Sequence, residues 1–283
     1  MSDYASIIGG NAPDSLIGQT GGLKDVGQDW DAIYHIETAD VFLDRFDTTG
    51  VSIVDATGAA GAVRVEVGSG ADTVNTGAGS DSIWAGAGAD SVDAGQGDNT
   101  VAGAAGDDAI RTWGGRDSIA GGEGADTVFA GDGDDYAVGG AGDDSVSGEA
   151  GDDSLFGSSG DDTLLGGLGN DSLVGGSGAD SMAGGAGNDT MFGGSGGDVF
   201  SFESGFGQDV ISDFGNGDRL QFAAGINGTA ISSAADVARF VSGGTTASGT
   251  KFTVISINGD SVRLEKVDHN DFVNQIGTWV QVG

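Results

Sequence analysis

Between residues 68 and 202 an apolar residue returns every nine positions, through fifteen units without insertion or deletion. In a unit such as Gly175-Gly176-Ser177-Gly178-Ala179-Asp180-Ser181-Met182-Ala183 the apolar residue is eighth. That column runs from Val74 and Ile83 to Met191 and Phe200, with Ala137 its smallest member. The three residues around the eighth position are strand formers, and alternation sends the eighth to one face and its neighbours to the other. The glycine-rich first six residues read as a tight turn, because glycine reaches positive φ without steric cost. A turn and a short strand make half a coil. Two units then close one flattened turn of an all-β solenoid, and residues eighteen apart stack at the ~4.8 Å spacing of neighbouring strands.

Two polar columns are as regular as the apolar one. The fourth residue is Gly in all fifteen units, and the sixth is Asp in fourteen. These are Asp72, Asp81, Asp90, Asp108, Asp117, Asp126, Asp135, Asp144, Asp153, Asp162, Asp171, Asp180, Asp189 and Asp198; Asn99, the exception, still offers a carbonyl oxygen. Carboxylates stacked this closely repel strongly unless a cation lies between them. Carboxylates and turn carbonyls form an oxygen-only donor set. Such a set suits Ca2+ with its flexible six- to eight-fold coordination, and suits the strict octahedron of Mg2+ less well.

The nonapeptide resembles the calcium-binding repeat of RTX proteins. That resemblance covers 135 of 283 residues and implies a right-handed parallel β-roll. It also implies export by a type I secretion machinery and Ca2+ held between turns by Asp residues two units apart. Pairs such as Asp144/Asp162, Asp153/Asp171, Asp162/Asp180, Asp171/Asp189 and Asp180/Asp198 inherit this role, with main-chain oxygens near Gly142, Gly160, Gly169, Gly178, Gly187 and Gly196 completing the ligand set. The block carries 24 Asp and Glu against Arg111 and Arg116, a charge of −22. Fifteen units allow up to about thirteen ions, so charge balances only with metal bound and folding should be coupled to binding. The leading glycine is replaced by Val67, Thr76, Ala85 or Ala94 towards the N-terminus, and Ala104 and Trp113 replace the second. The C-terminal units are therefore expected to hold the best sites, and Asp108 and Asp117 the weakest, with Arg111 and Arg116 supplying charge there.

Composition narrows the function classes. With Lys and Arg totalling 10 in a net charge of −34, nucleic acid and anionic membranes are poor partners. The absence of Cys removes disulfides, zinc–thiolate sites and cysteine nucleophiles. No apolar run approaches the ~20 residues that span a bilayer, so no membrane insertion is expected. Residues 1–10 have neither the basic nor the apolar region of a signal peptide. The chain should thus be cytosolic or leave by a route that does not read the N-terminus; the RTX resemblance favours a secreted, extracellular or cell-surface location.

The flanks are less regular. Residues 1–67 read as a cap and irregular first coils, with a degenerate unit from Gly9 to Ile17. Apolar capping material lies over residues 23–47 (Trp30, Ile33, Tyr34, Ile36, Phe42, Phe46), and strands are expected at Val51–Val54 and Val63–Val67. Residues 203–283 read as a C-terminal capping and secretion-signal region, similar at its start to the segment following the repeats in secreted RTX proteases and alginate epimerases. A short helix is expected over 232–242, and a hairpin through Asn258-Gly259. No catalytic constellation emerges. His35 and His269 lie outside any zinc-protease motif, and the esterase-like Gly193-Gly194-Ser195-Gly196-Gly197 falls in phase within a repeat turn. The chain is expected not to be an enzyme.

The ninth residues, which face outward, differ between alternate units. One set is Trp84, Ala102, Ala120, Val138, Phe156, Val174 and Phe192; the other mixes Asn75, Asp93, Arg111, Phe129, Ser147, Leu165, Ala183 and Ser201. One face should carry an apolar stripe, with Trp84, Val138, Phe156, Val174 and Phe192 as interface residues. Self-association into a surface layer, filament or matrix is one reading. An accessory calcium-triggered secretion and folding module for a partner enzyme or adhesin is another. Ice or carbohydrate binding by the seventh-position Ser/Thr column (Thr73, Ser82, Ser91, Thr100) is a third, weakened because the ninth residues are seldom Thr.

Overall fold

The computed structural model describes residues 50–283 in full. Before them it describes the backbone of four short strands, Asp14–Ile17, Leu23–Lys24, Ala32–His35 and Val41–Asp44. Those four strands apart, the expected cap over 23–47 and the degenerate unit from Gly9 lie outside the described residues. The fold is an all-β parallel solenoid, and the chain divides into two compact units, Met1–Ser145 and Val146–Gly283.

In the first unit, successive strands alternate between two parallel sheets. Ser52–Asp55, Thr73–Asn75, Ser91–Asp93, Ala109–Arg111 and Thr127–Asp132 lie in one. Val63–Glu66, Ser82–Ala87, Thr100–Ala105, Ser118–Glu123 and Tyr136–Ala141 lie in the other. The nine-residue period fixes the register. Val74, Val92, Ile110 and Val128 align across the first sheet, and Ile83, Val101, Ile119 and Ala137 across the second. All eight are at most 3% exposed, so the apolar column of the sequence is the core.

The second unit continues the pattern with larger side chains. Leu155, Leu173 and Met191 align in one sheet, and Leu164, Met182 and Phe200 in the other, all fully buried. The ladders then run beyond the repeats, from Met191 through Ile211 to Leu264 and from Phe200 through Leu220 to Val280. The last coil is closed by aromatic packing. Phe202 stacks on Phe222 at 5.1 Å, and Phe214 meets Trp279 edge-on at 5.5 Å.

Local signals in the C-terminal segment are realised as short elements. The helix expected over 232–242 is an α-turn, Ala234–Val237, capped by Ser233 and continued as a 3-10 turn, Ala238–Phe240. The hairpin forms between Lys251–Ile257 and Asp260–Glu265, with Asn258 (φ 48°) and Gly259 (φ 106°) both left-handed, as a two-residue loop of this kind requires. The helix His269–Trp279 was not anticipated. Its apolar residues Phe272, Ile276 and Trp279 fall at helical spacing, but β-branched Val273 and Thr278 and the interior Gly277 obscure the pattern. Leu173→Ala should lower the stability of the calcium-loaded protein by about 2–5 kcal/mol. Leu165→Ala, at an outward position 45% exposed, should change it by less than about 0.5 kcal/mol. Thermal melts in calcium check both.

Candidate metal centre

The strands hold the turns in register, and the turns carry their sixth residues into the interior. All fourteen sixth-position Asp residues and Asn99 are at most 3% exposed. One side-chain oxygen of the rungs is committed to the main chain of the coil before, twenty residues earlier for Asp72, which accepts from Ser52, and eighteen residues earlier along the repeats. In one column of turns of the first unit, the N–H groups of Asp72, Asp90, Asp108 and Asp126 donate to Oδ1 of Asp90, Asp108, Asp126 and Asp144 at 2.7–2.8 Å. In the other, Val63, Asp81, Asn99 and Asp117 donate to Asp81, Asn99, Asp117 and Asp135 at 2.6–2.9 Å. In the second unit Asp153, Asp162, Asp171 and Asp180 donate to Asp171, Asp180, Asp189 and Asp198 at 2.8–3.0 Å. Four of the stacked pairs expected from the sequence are thus brought together.

The second oxygen is left over. Oδ2 of each of the fourteen Asp residues is buried without a hydrogen-bond partner. Burial disfavours the charged form of these groups, and neighbouring carboxylates add to the effect. Asp90 and Asp171 are pushed up to about 7, and Asp108 and Asp198 to about 6, mainly by desolvation and against the opposing main-chain hydrogen bond. Asp72, Asp117, Asp126, Asp180 and Asp189 are raised for the same first cause.

Where the turn begins with glycine, the leftover oxygen packs directly against it. A Cβ built on Gly175 would lie 2.3 Å from Oδ2 of Asp180 and 2.7 Å from the carbonyl oxygen of Gly193. On Gly166 the corresponding distances are 2.4 Å to Asp171 and 2.3 Å to Gly184. A side-chain carbon is too close at such distances, so glycine is what lets the carboxylate oxygen and the neighbouring turn carbonyl converge. Among the described residues no three acidic or imidazole side chains converge on one point. Any cation here draws on one or two carboxylates and on turn carbonyls, a hard, oxygen-only set that fits Ca2+ and supplies the positive charge the interior lacks.

The fourth-position glycines act through the backbone. Gly142, Gly160, Gly169, Gly178, Gly187 and Gly196 all have φ between 123° and 154°. A Cβ on Gly178 would lie 1.8 Å from the carbonyl oxygen of Gly160, so any side chain there would force the coils apart. Asn99 turns its Oδ1 to the N–H of Asp81 and its Nδ2 to the carbonyl of Gly95 at 3.2 Å. Asp108 has the same surroundings as Asp180: a Cβ on Gly103 would lie 2.3 Å from its Oδ2. Arg111 lies instead over the Trp113 ring at 4.1 Å, while the Trp113 indole N–H donates to Asp93 at 2.8 Å.

Sequence reading missed the continuation of the ladder beyond the repeats. The N–H groups of Asp189 and Asp198 donate to Oδ1 of Asp209 and Asp218, each at 3.0 Å and twenty residues on. Asp209 Oδ2 is another buried, unpartnered oxygen, and desolvation raises this group to about 8. Asp213 accepts from the N–H groups of Gly193 and Gly194 at 3.0 and 2.7 Å and closes the adjoining column. The signal was present in Gly207-Gln208-Asp209-Val210-Ile211, which keeps the fourth, sixth and eighth residues of a unit. Of the expected interface residues, Trp84 and Phe192 are 54% and 43% exposed, and Val138, Phe156 and Val174 are half-buried.

The raised carboxyls set a pH dependence. Their folded values exceed the ordinary 3.8, so without metal they favour folding at about pH 4 and lose that contribution as pH rises through about 6 to 8. Chelated protein should therefore gain strand signal on acidification in circular dichroism. Calcium affinity, which requires the ionised form, should weaken at least several-fold between pH 8 and 5.5 in equilibrium dialysis.

A family model described as "RTX calcium-binding nonapeptide repeat (4 copies)" matches residues 66–101, 93–128, 129–164 and 165–200. No curated protein matches the chain. Among solved structures, the extracellular lipase LipA from Serratia marcescens is 22% identical with a TM-score of 0.31, the alignment covering 74% of this chain and 41% of the lipase. The AlgE6R3 subunit of the Azotobacter vinelandii mannuronan C5-epimerase is 24% identical with a TM-score of 0.32, covering 55% of this chain and 80% of that subunit. Four repeat matches, laid over the strands of a parallel solenoid, identify residues 66–200 as RTX calcium-binding nonapeptide repeats.

Proposed function

We propose that the chain is a secreted protein without catalytic activity that folds on meeting extracellular calcium. Once folded, it associates with copies of itself into a surface layer, filament or matrix. Charge supports the first step. A metal-free repeat block at −22 repels itself, which keeps the chain extended in low calcium and suits passage through a type I exporter. Outside the cell, sites of order 10⁻⁴–10⁻³ M affinity fill at millimolar calcium. Each ordered turn presents its main-chain N–H groups to the next, so folding propagates along the stack.

The observation that carries self-association is the one-sided apolar column. In the first unit Trp84, Ala102, Ala120 and Val138 align with no polar residue between them. In the second, Phe156, Val174 and Phe192 do the same. Exposed contiguous apolar surface on a chain this acidic favours burial against a like surface. The accessory-module reading draws support from the half-burial of Ala102, Val138, Phe156 and Val174, which narrows that surface. Light scattering during calcium addition separates the two readings. Calcium should enlarge the particles formed by the natural sequence, and the Trp84→Asp, Phe192→Asp double variant should fold yet stay monomer-sized. A natural sequence that remains monomeric in millimolar calcium supports the accessory module instead.

A further inference from the structure

The first residue of each turn decides how closely the leftover carboxylate and the neighbouring turn carbonyl can converge, and the fifteen turns differ there. Nine begin with glycine, from Gly103 to Gly193, and in all nine a built Cβ would lie 2.2–2.4 Å from the Oδ2 five residues on. Six begin with Val67, Thr76, Ala85, Ala94, Thr112 or Ala130, whose own Cβ occupies that position. Four of these six, Thr76, Ala94, Thr112 and Ala130, stack in one column of turns on one edge of the first unit.

That column is held together differently. The Thr76 hydroxyl donates to the carbonyl of Ala94 at 2.7 Å, and the Thr112 hydroxyl donates to the carbonyl of Ala130. In glycine turns the equivalent carbonyl, such as that of Gly121 beside Gly103, converges with the leftover carboxylate oxygen on the glycine: a Cβ on Gly103 would lie 2.6 Å from it. Within the same column Asn99 replaces the carboxylate and donates its amide to the carbonyl of Gly95 at 3.2 Å, a neutral donor where a cation would stand. The backbone differs as well. The residue after a leading glycine is left-handed even when it is Ala104 (φ 86°), Glu149 (φ 72°) or Ser158 (φ 88°), a strained conformation for residues with a side chain. After Thr76 and Thr112 neither Gly77 nor Trp113 adopts it, whereas Gly95 (φ 70°) and Gly131 (φ 108°), after Ala94 and Ala130, do.

We propose that calcium loads only the turns that begin with glycine, where a leftover carboxylate oxygen and a turn carbonyl converge, and that the edge built from Thr76, Ala94, Thr112 and Ala130 is a metal-free seam closed by hydroxyl and amide hydrogen bonds. This rests on the calcium reading and refines it: the repeats hold at most nine ions rather than about thirteen, and in the first unit they lie along one edge only. The seam gives the N-terminal coils a column of turns that needs no metal to stay in register.

The test is ion counting by elemental analysis of the full chain, equilibrated at millimolar calcium and desalted into micromolar calcium. Asp117→Asn and Asp126→Asn remove the same charge from equally buried positions that accept a main-chain N–H. The proposal expects Asp126→Asn to lose at least one ion and Asp117→Asn to keep the natural count. The gain-of-site variant Thr112→Gly, Ala130→Gly should bind at least one ion more. Equal loss from Asp117→Asn and Asp126→Asn, or no gain on opening the seam, overturns the seam while leaving calcium binding intact. A natural sequence that retains no calcium overturns both.

Discussion

The molecule depends on a carboxylate that is only half satisfied. Fourteen of the fifteen repeat turns bury an Asp and leave one of its oxygens dehydrated and unpartnered, while the other oxygen accepts a main-chain N–H of an earlier coil, as that of Asp189 does from Asp171. Two carboxylates about 5 Å apart repel by roughly 3 kcal/mol at an effective dielectric of about 20. A few such contacts exceed the ~5–15 kcal/mol net stability of an ordinary domain. The apolar ladder from Leu155 to Leu264 is fully buried and contributes roughly 1.5–3 kcal/mol per side chain, so the repulsion along a column is of the same order as the burial it opposes. A cation between turns removes the repulsion and the dehydration together, which makes the ion a structural element rather than a passenger.

Much of this was legible in the chain because the period is strict. Fifteen eighth residues in phase placed the core, and the buried registers Val74–Val92 and Leu173–Met191 follow from the nine-residue count. The sixth-position column placed the carboxylates. What escaped had a physical reason in each case. Asp209 and Asp218 lie at an interval of twenty rather than eighteen, since the chain bulges between Phe202 and Gly207 before rejoining the ladder. The helix His269–Trp279 was hidden by residues of poor helix propensity and is stabilised by packing of Phe272 and Trp279 rather than by its own preference.

The replacements towards the N-terminus are the instructive part of the pattern. Read along the sequence they resemble simple decay of a consensus that affects Asp108 and Asp117 equally. Folded, the two belong to different columns. Asp108 keeps its glycine opposite, whereas Asp117 has Thr112, whose hydroxyl bonds the neighbouring turn. Distance along the chain is a poor guide to likeness in a solenoid, because alternate units lie on opposite edges. The same alternation gathers the apolar ninth residues on one sheet while the other stays mixed.

Metal-coupled folding is tested most directly by circular dichroism of the full chain during a calcium titration at pH 7.5, starting from chelated protein. A chain dependent on its buried carboxylates begins with little strand signal and acquires it in a steep, cooperative transition between micromolar and millimolar calcium. A full strand spectrum in the presence of chelator, unaltered by added calcium, would contradict the role assigned to those oxygens.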